Sequence, residues 1–169
     1  MIQYVKGNIL ESDAMALVNT VNLAGVMGKG IALQFKKQFP INFKLYKKAC
    51  EENAIGIGKL LVTKEQTVFG EKIIINFPTK KDWRKSSEYS YIEDGLEDLI
   101  RIIGEYHIKS VAIPPLGAGN GGLHWEIVKK IIEGKLSSLP IDIIVYEPNA
   151  VIVDRMKSER VKLTPARAL

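Results

Sequence analysis

Residues 116–122 read Leu-Gly-Ala-Gly-Asn-Gly-Gly, and residues 27–32 read Met-Gly-Lys-Gly-Ile-Ala. Each segment follows an apolar run and opens a helical pattern, which predicts a tight turn between a strand and a helix. Such a turn directs backbone N–H groups and a helix N-terminus toward one point, a geometry that suits a phosphate. Two of them in one small domain predict a diphosphate held from both sides. The alternative is that the glycines only permit tight turns.

Short runs rich in valine and isoleucine predict the strands. Residues 73–75 (Ile-Ile-Ile) and 143–145 (Ile-Ile-Val) do not alternate with polar residues, which is typical of strands buried on both faces. The predicted strands cover residues 2–5, 15–21, 59–64, 72–77, 110–113 and 141–146.

Helical patterns alternate with these strands. The clearest covers residues 90–106, and the capping-box pattern of Ser90 and Glu93 predicts its start. Its apolar face comprises Ile92, Leu96, Leu99, Ile100 and Ile103. The other predicted helices cover residues 29–39, 43–53 and 123–136, the last with Ile127, Val128, Ile131 and Ile132 facing inward.

The interleaved strands and helices predict a layered α/β domain with a mostly parallel sheet. Residues 58–77 hold two predicted strands with residues 65–70 between them, which predicts a hairpin and therefore a mixed sheet. The chain of 169 residues is long enough to bury one core, and we assign residues 1–150 to a single domain. Residues 151–169 are a short tail or the start of a second, truncated domain.

Composition limits the classes of protein and site. The single cysteine, Cys50, excludes an intramolecular disulfide and a cysteine-based zinc cluster, and it favours a reducing, cytoplasmic compartment. The apolar stretches are only strand-length, so no membrane span is predicted. His107 and His124 lack metal-ligand spacing, and no metal is predicted. The formal charge of +5 fits an anionic partner, although charge alone is weak evidence for nucleic acid.

The segment Val-Asn-Thr-Val-Asn at residues 18–22 ends a predicted buried strand just before the first glycine turn. An asparagine amide there can hold a sugar hydroxyl, because it both donates and accepts hydrogen bonds. The alternative is that the asparagines cap the turn. We expect Asn19 to cap the turn and Asn22 to contact the ligand.

Lys80 follows another buried strand at the sheet edge where ligand groups gather in open α/β sheets. A lysine beside an apolar pocket loses its proton more easily and can act as a nucleophile or form a Schiff base. The alternative is a solvated basic loop. Nearby Trp83 and Arg84 are candidates to stack on a base and pair with a phosphate, unless Trp83 only covers the core.

Four segments together resemble a macrodomain: residues 6–9, 18–22, 25–32 and 114–123, in order along residues 1–148. More narrowly, residues 76–80, 83–84 and 120–125 resemble the DarG-type antitoxins. These are DNA ADP-ribosyl glycohydrolases that remove ADP-ribose from thymidine and reverse a DarT-type toxin. The resemblance implies a three-layer α/β/α fold with ADP-ribose across the carboxyl edge of the sheet.

The resemblance also implies roles for single residues. Asn8 and Ile9 would meet adenine, and Asn22 would bind the distal ribose. Lys80 and Asn22 would be the catalytic residues, with Lys80 acting through a Schiff base with the opened ribose or through electrostatic stabilisation alone. The implied ligand-binding set is Asn8, Ile9, Asn19, Gly28, Lys29, Gly30, Ile31, Ala32, Thr79, Leu116, Gly117, Ala118, Gly119, Asn120, Gly121, Gly122 and Leu123.

One departure from a related branch concerns the proton donor. That branch pairs its lysine with an aspartate in the second glycine loop, where this chain has Gly121. Water, His124 or a group on the DNA are the remaining candidates to protonate the departing base.

The expected function is therefore removal of ADP-ribose from thymidine in single-stranded DNA. The expected partners are ADP-ribose on DNA, single-stranded DNA and a cognate DarT-type toxin, without a cofactor, a metal or a membrane. The alternatives are a non-catalytic ADP-ribose reader and a hydrolase for ADP-ribosylated protein or a small metabolite. Lys80 favours catalysis, because a reader has no need of it.

Overall fold

The computed structural model describes residues 1–68 and 70–148. Within these ranges six strands and four α-helices follow one another, with one short 3-10 helix at Ile9–Glu11. The predicted tail, residues 151–169, lies outside the described residues. The elements are β1 (Ile2–Val5), β2 (Ala16–Asn22), α1 (Gly30–Gln38), α2 (Pro40–Glu51), β3 (Leu61–Thr67), β4 (Gly70–Lys80), α3 (Tyr89–Glu105), β5 (Ser110–Ile113), α4 (Trp125–Leu136) and β6 (Asp142–Tyr146).

The strands form one sheet in the order β1-β6-β5-β2-β4-β3. All neighbouring pairs are parallel except β3 and β4, which form an antiparallel hairpin. The alternation of β2 divides the core, since Val18 packs with α3 and α4 whereas Leu17 packs with Phe35 of α1. The predicted α/β/α layers, the mixed sheet and the hairpin are therefore confirmed.

A buried polar cluster fastens α2 to the hairpin. Asn42 and Asn76 exchange side-chain hydrogen bonds of 3.1 and 2.8 Å, and the Thr63 hydroxyl donates to Asn42 Oδ1 at 2.6 Å. Each of these side chains is buried. Since a buried polar group is costly unless it is paired, the cluster fixes one position of α2 over β4.

Three predictions about the helices were wrong: the starts of α2 and α3 and the inward orientation of one side chain of α4. Helix α2 begins at Pro40, three residues early, because the Glu65 carboxylate of β3 accepts the Asn42 backbone N–H at 2.9 Å. This distant acceptor acts together with a local signal, because Pro40 stands at the first helical position, where proline is favoured. Helix α3 begins at Tyr89 after the N-cap Glu88, so the Ser90 capping box does not form. Ile127 of α4 is 44% exposed and does not face inward.

Gly95 allows α3 to lie directly on the sheet, and we predict that Gly95→Ala destabilises the protein. A Cβ on Gly95 would lie 2.2 Å from Cζ of Phe77, whose ring is fully buried in β4. Overpacking of this kind costs about 1–3 kcal/mol. Chemical denaturation of Gly95→Ala beside Gly104→Ala measures the effect, since Gly104 has open space and the better helix former should stabilise α3. Equal stabilities would contradict the prediction.

Candidate active site

A cavity of about 440 Å³ opens at the carboxyl ends of β2 and β4 and beside the segment that follows β5. Ligands bind at this edge in open α/β sheets, and the volume lies in the range of small-molecule sites. Of the predicted site residues, the cavity is lined by Asn22, Gly28, Lys29, Ile31, Ala32, Thr79, Lys80, Trp83, Gly117, Ala118, Asn120 and Gly121.

The first glycine turn leads directly into helix α1. Gly30 has φ +64° as the first helical residue, a backbone conformation that favours glycine. Lys29 is the N-cap and makes no side-chain capping bond within the described chain. The N-terminus of α1 therefore faces the cavity, where its backbone N–H groups can donate hydrogen bonds to an anion.

The second glycine turn is a loop that folds on itself before α4. Gly117 has φ +71°, and its carbonyl accepts the Leu123 N–H at 3.0 Å. Helix α4 follows this turn and begins at Trp125, two residues after the predicted start at residue 123. The anion-binding groups that this turn offers are those of the loop itself.

The two turns face each other across the cavity. The Nδ2 atom of Asn120, in the second turn, lies 3.7 Å from the position that a Cβ on Gly30 would take. This approach brings the N-terminus of α1 and the second loop to one ligand. The predicted diphosphate clamp is compatible with that arrangement.

The two asparagines of residues 18–22 have different surroundings from those expected. Asn22 holds the turn after β2, because its Oδ1 accepts the Ala24 N–H at 2.9 Å and its Nδ2 donates to the Val26 carbonyl at 2.9 Å. Asn19 is fully buried, with Nδ2 3.9 Å from the sulfur of Met27 and with Oδ1 unpaired among the described residues. The expectation that Asn19 caps the turn was wrong, because among the described residues its amide makes no hydrogen bond to the backbone of the turn.

A β-bulge brings Lys80 opposite Asn22. The register of β2 and β4 pairs Val21 with Pro78 and then Asn22 with Lys80, which leaves Thr79 as the extra residue. The predicted end of this strand at residue 77 was wrong. The strand continues through Pro78 because β3 pairs with β4 only as far as Asn76, so one side of the strand needs no N–H there.

The surroundings of Lys80 destabilise its charged form. Burial against the cavity wall lowers the pKa of the Lys80 ammonium below its usual range, and the positive charge of Lys29 lowers it further. Both lysines line the same cavity. A neutral amine is a nucleophile, whereas an ammonium is not.

Trp83 and Arg84 lie on a short turn after β4. Trp83 lines the cavity mouth and is 51% exposed, which excludes the alternative that it only covers the core. The Arg84 guanidinium lies 5.2 Å from the centre of the Trp83 ring and pairs with Asp82. The exposed aromatic face and the adjacent cation suit a nucleobase and a phosphate.

Other predicted ligand residues lie outside the lining of the cavity. Asn8 caps the 3-10 helix, where its side chain accepts the Leu10 N–H, and Ile9 is buried against α1. Their adenine contacts therefore stay a prediction. His124 is an exposed N-cap of α4 whose backbone N–H donates to the Tyr89 hydroxyl. Also outside the lining are Asn19, Gly30, Leu116, Gly119, Gly122 and Leu123.

Sequence reasoning missed five lining residues, Thr20, Val21, Val26, Pro114 and Pro115. Thr20 shares a strand face with Asn22, so alternation along β2 could have identified it. The two prolines come directly after β5, at the edge where ligands bind. Val26 gave no local signal, because its place on the rim depends on the turn that Asn22 holds.

The described residues show no group of three or more histidine, cysteine, aspartate or glutamate side chains placed to hold a metal ion. Among the same residues, no helix is both long and apolar enough to cross a membrane.

Residues 18–132 match the model of the Macro domain family. The chain is similar to a DNA ADP-ribosyl glycohydrolase of Mycobacterium tuberculosis, with 53% identity over 88% of this chain and 43% of the relative. A relative with the same name from Thermus aquaticus is 47% identical over 99% of this chain and 48% of its own length. The chain thus spans about half the length of these curated relatives.

Solved structures agree with these matches. The macrodomain of Mycobacterium tuberculosis DarG has a TM-score of 0.85 with 53% identity, over 88% of this chain and 99% of that one. Thermosipho africanus DarTG in complex with ADP-ribose has a TM-score of 0.84 with 33% identity, over 88% and 42%. The chain therefore belongs to the Macro domain family and shares high identity with DarG macrodomains.

Proposed function

We propose that this chain is a DNA ADP-ribosyl glycohydrolase that removes ADP-ribose from thymidine bases in single-stranded DNA. The observation that carries the proposal is the position of Lys80, with a lowered pKa, opposite Asn22 in the cavity. A site that only binds ADP-ribose needs no amine with a lowered pKa at its sugar end. The names of the most similar relatives support the same activity.

The reaction follows from the chemistry of the amine. The neutral Nζ of Lys80 attacks the anomeric carbon of the distal ribose, and the bond from that carbon to the base nitrogen breaks. The base leaves with the electron pair and takes one proton. The ribose ring opens to give a Schiff base on Lys80, and one water molecule hydrolyses it to release ADP-ribose and the free amine.

The proton for the departing base comes from water or from the DNA in this proposal. Position 121 offers no acid, and His124 stands outside the lining of the cavity. The open mouth at Trp83 gives water access to the sugar end of the cavity.

The charge of Lys29 is predicted to contribute to the pH dependence of the reaction, in addition to the burial of Lys80. Activity should rise with pH as Lys80 loses its proton. Because the Lys29 charge lowers the pKa of Lys80, Lys29→Gln should move this rise to higher pH, whereas Lys29→Arg should leave it in place. Profiles of kcat against pH measure the shift, and profiles that coincide for all three proteins would refute the role of Lys29.

The wider setting is also part of the proposal. We assign the activity to residues 1–150, in the cytoplasm, as an antitoxin that reverses a DarT-type toxin. The net charge of +5 and the Trp83–Arg84 pair at the cavity mouth support single-stranded DNA as the carrier of the ADP-ribose. The fusion of transferase and glycohydrolase in the Thermosipho africanus relative supports the toxin partner.

The test is to incubate the protein with thymidine-ADP-ribosylated single-stranded DNA and, separately, with ADP-ribosylated protein. We expect release of ADP-ribose from the DNA and little from the protein. Trp83→Ala should raise the KM for the oligonucleotide while the affinity for free ADP-ribose stays near that of the unchanged protein. ADP-ribose binding without release from either substrate would identify a reader instead. Release from protein alone would identify the other hydrolase class.

A further inference from the structure

Tyr46 reaches the cavity only through another residue. It lies on α2, is fully buried among residues that include Val21, Met27 and Ile55, and is absent from the cavity lining of the described chain. Its hydroxyl lies 2.7 Å from the Asn22 backbone carbonyl and 3.0 Å from Asn22 Oδ1. Both acceptors belong to the residue that faces Lys80 across the bulge.

The surrounding groups determine which way the Asn22 amide points. Its Oδ1 is 2.9 Å from the Ala24 backbone nitrogen and 3.4 Å from the Val26 nitrogen, whereas its Nδ2 is 2.9 Å from the Val26 carbonyl oxygen. The reversed amide would place its NH₂ group against the Ala24 N–H and its oxygen against the Val26 carbonyl oxygen. The single Tyr46 hydroxyl proton is shared between the Asn22 backbone carbonyl at 2.7 Å and Oδ1 at 3.0 Å. This shared donor supports the observed orientation, because it matches an oxygen at the Oδ1 position.

This orientation leaves Asn22 with one kind of hydrogen bond to offer. Oδ1 accepts from the Ala24 and Val26 N–H groups and shares the single Tyr46 hydroxyl proton with the Asn22 backbone carbonyl, and one of the two N–H groups of Nδ2 is used by Val26. The remaining N–H is the group available to a ligand in the cavity. Burial raises the pKa of the Tyr46 hydroxyl far above its usual range, so the hydroxyl remains a donor wherever the protein is folded.

We propose that Tyr46 is a positioning residue that holds Asn22 as a hydrogen-bond donor toward the ligand. The sugar oxygen that meets Asn22 then has to accept this hydrogen bond. The inference rests on the proposed function to the extent that the ligand is ADP-ribose with its distal ribose beside Lys80. It adds that this subsite selects a hydrogen-bond acceptor because the buried Tyr46 holds the Asn22 amide in one orientation.

The experiment compares the binding of ADP-ribose and of ADP, which lacks the distal ribose, by calorimetry. Tyr46→Phe should weaken ADP-ribose binding by about tenfold, the loss expected for one misplaced hydrogen bond, and should leave ADP binding unchanged. In an Asn22→Ala background the same change should have no further effect, because Tyr46 acts through Asn22. Asn22→Asp, which offers acceptors without a donor, should also weaken ADP-ribose binding while ADP binding is retained.

The matched control is Tyr4→Phe. Tyr4 also donates a hydroxyl hydrogen bond, to Glu133 at 2.6 Å, but it lies on β1 at the edge of the sheet. This variant should alter the melting temperature and leave the affinities for both ligands unchanged.

Four results would overturn the inference. The first two are equal losses of affinity for ADP and ADP-ribose in Tyr46→Phe, and ADP-ribose affinity that does not change in Tyr46→Phe. The other two are a further loss of affinity, as large as in the unchanged protein, when Tyr46→Phe is added to Asn22→Ala, and full ADP-ribose affinity in Asn22→Asp. The proposed reaction fails separately. A protein that shows the expected binding pattern but releases no ADP-ribose from DNA would refute the glycohydrolase and support the role of Tyr46.

Discussion

Replacing Lys80 with alanine should lower the release of ADP-ribose from DNA by at least about 10³-fold, within the range of losses that follow removal of an activated nucleophile. The affinity for free ADP-ribose should stay within a few-fold of the unchanged protein, because we expect the two glycine turns to bind the constant part of the ligand. Single-turnover kinetics on a thymidine-ADP-ribosylated oligonucleotide, with calorimetry for binding, measure the two effects. Release at the normal rate would remove Lys80 from the chemistry.

Lys81→Ala is the matched control. Lys81 follows Lys80 directly, is exposed, and lies with its Nζ 5.7 Å from the centre of the Tyr91 ring. It carries the same charge but does not line the cavity. This variant should keep its single-turnover rate, so a loss equal to that of Lys80→Ala would indicate a general effect of basic charge on DNA binding.

Reduction with borohydride distinguishes the two roles that a lysine can have here. A Schiff base on Lys80 should be trapped as a stable adduct during turnover, with the added mass on the peptide that contains Lys80. The absence of an adduct in a protein that remains active would favour purely electrostatic stabilisation by the ammonium group.

Introducing an acid at position 121 should damage the protein instead of improving its chemistry. A Cβ on Gly121 would lie 2.3 Å from the Gly117 carbonyl oxygen and 2.5 Å from Oγ of Ser87. The Ser87 N–H also donates to the Gly121 carbonyl at 3.0 Å, so the loop cannot shift without losing this contact. Gly121→Asp and Gly121→Ala should each destabilise the fold by about 1–3 kcal/mol and weaken ADP-ribose binding.

Denaturation curves and calorimetry check this prediction against two controls. Gly134→Ala places a methyl group in open space on α4 and should not destabilise. Adding Ser87→Ala to Gly121→Ala should restore little, because the contact with the Gly117 carbonyl remains. A stable, more active Gly121→Asp protein would show that the loop can accommodate the acid and that the missing proton donor limits the rate.

The order and type of the elements could be predicted from the sequence because those signals are local. Non-alternating apolar runs such as residues 73–75 indicated strands buried on both faces. Those residues lie in β4, between the two helical layers. The glycine pattern of residues 27–32 indicated a turn into a helix, and Gly30 has the positive φ that only glycine adopts readily. These features depend on a few neighbouring residues, so one sequence is enough to reveal them.

The arrangement of the site required the tertiary structure. Asn19 and Asn22 have the same side chain and lie on the same strand, so the sequence does not show which of them lines the cavity. That depends on which helices cover each face of β2. Lys80 meets Asn22 because a bulge at Thr79 shifts the register of β4 by one residue. The start of α2 depends on Glu65, 23 positions from its hydrogen-bond partner.

The sequence was sufficient to predict the alternation of strands and helices, the two glycine turns and a lysine near the carboxyl end of a buried strand. The tertiary structure alone decided that this lysine lies beside Lys29 in a partly buried cavity, where its pKa falls, and that Tyr46 fixes the amide opposite it. The physical reason is that pKa shifts and amide orientations come from groups far apart in the chain. Only folding brings those groups within a few ångströms of each other.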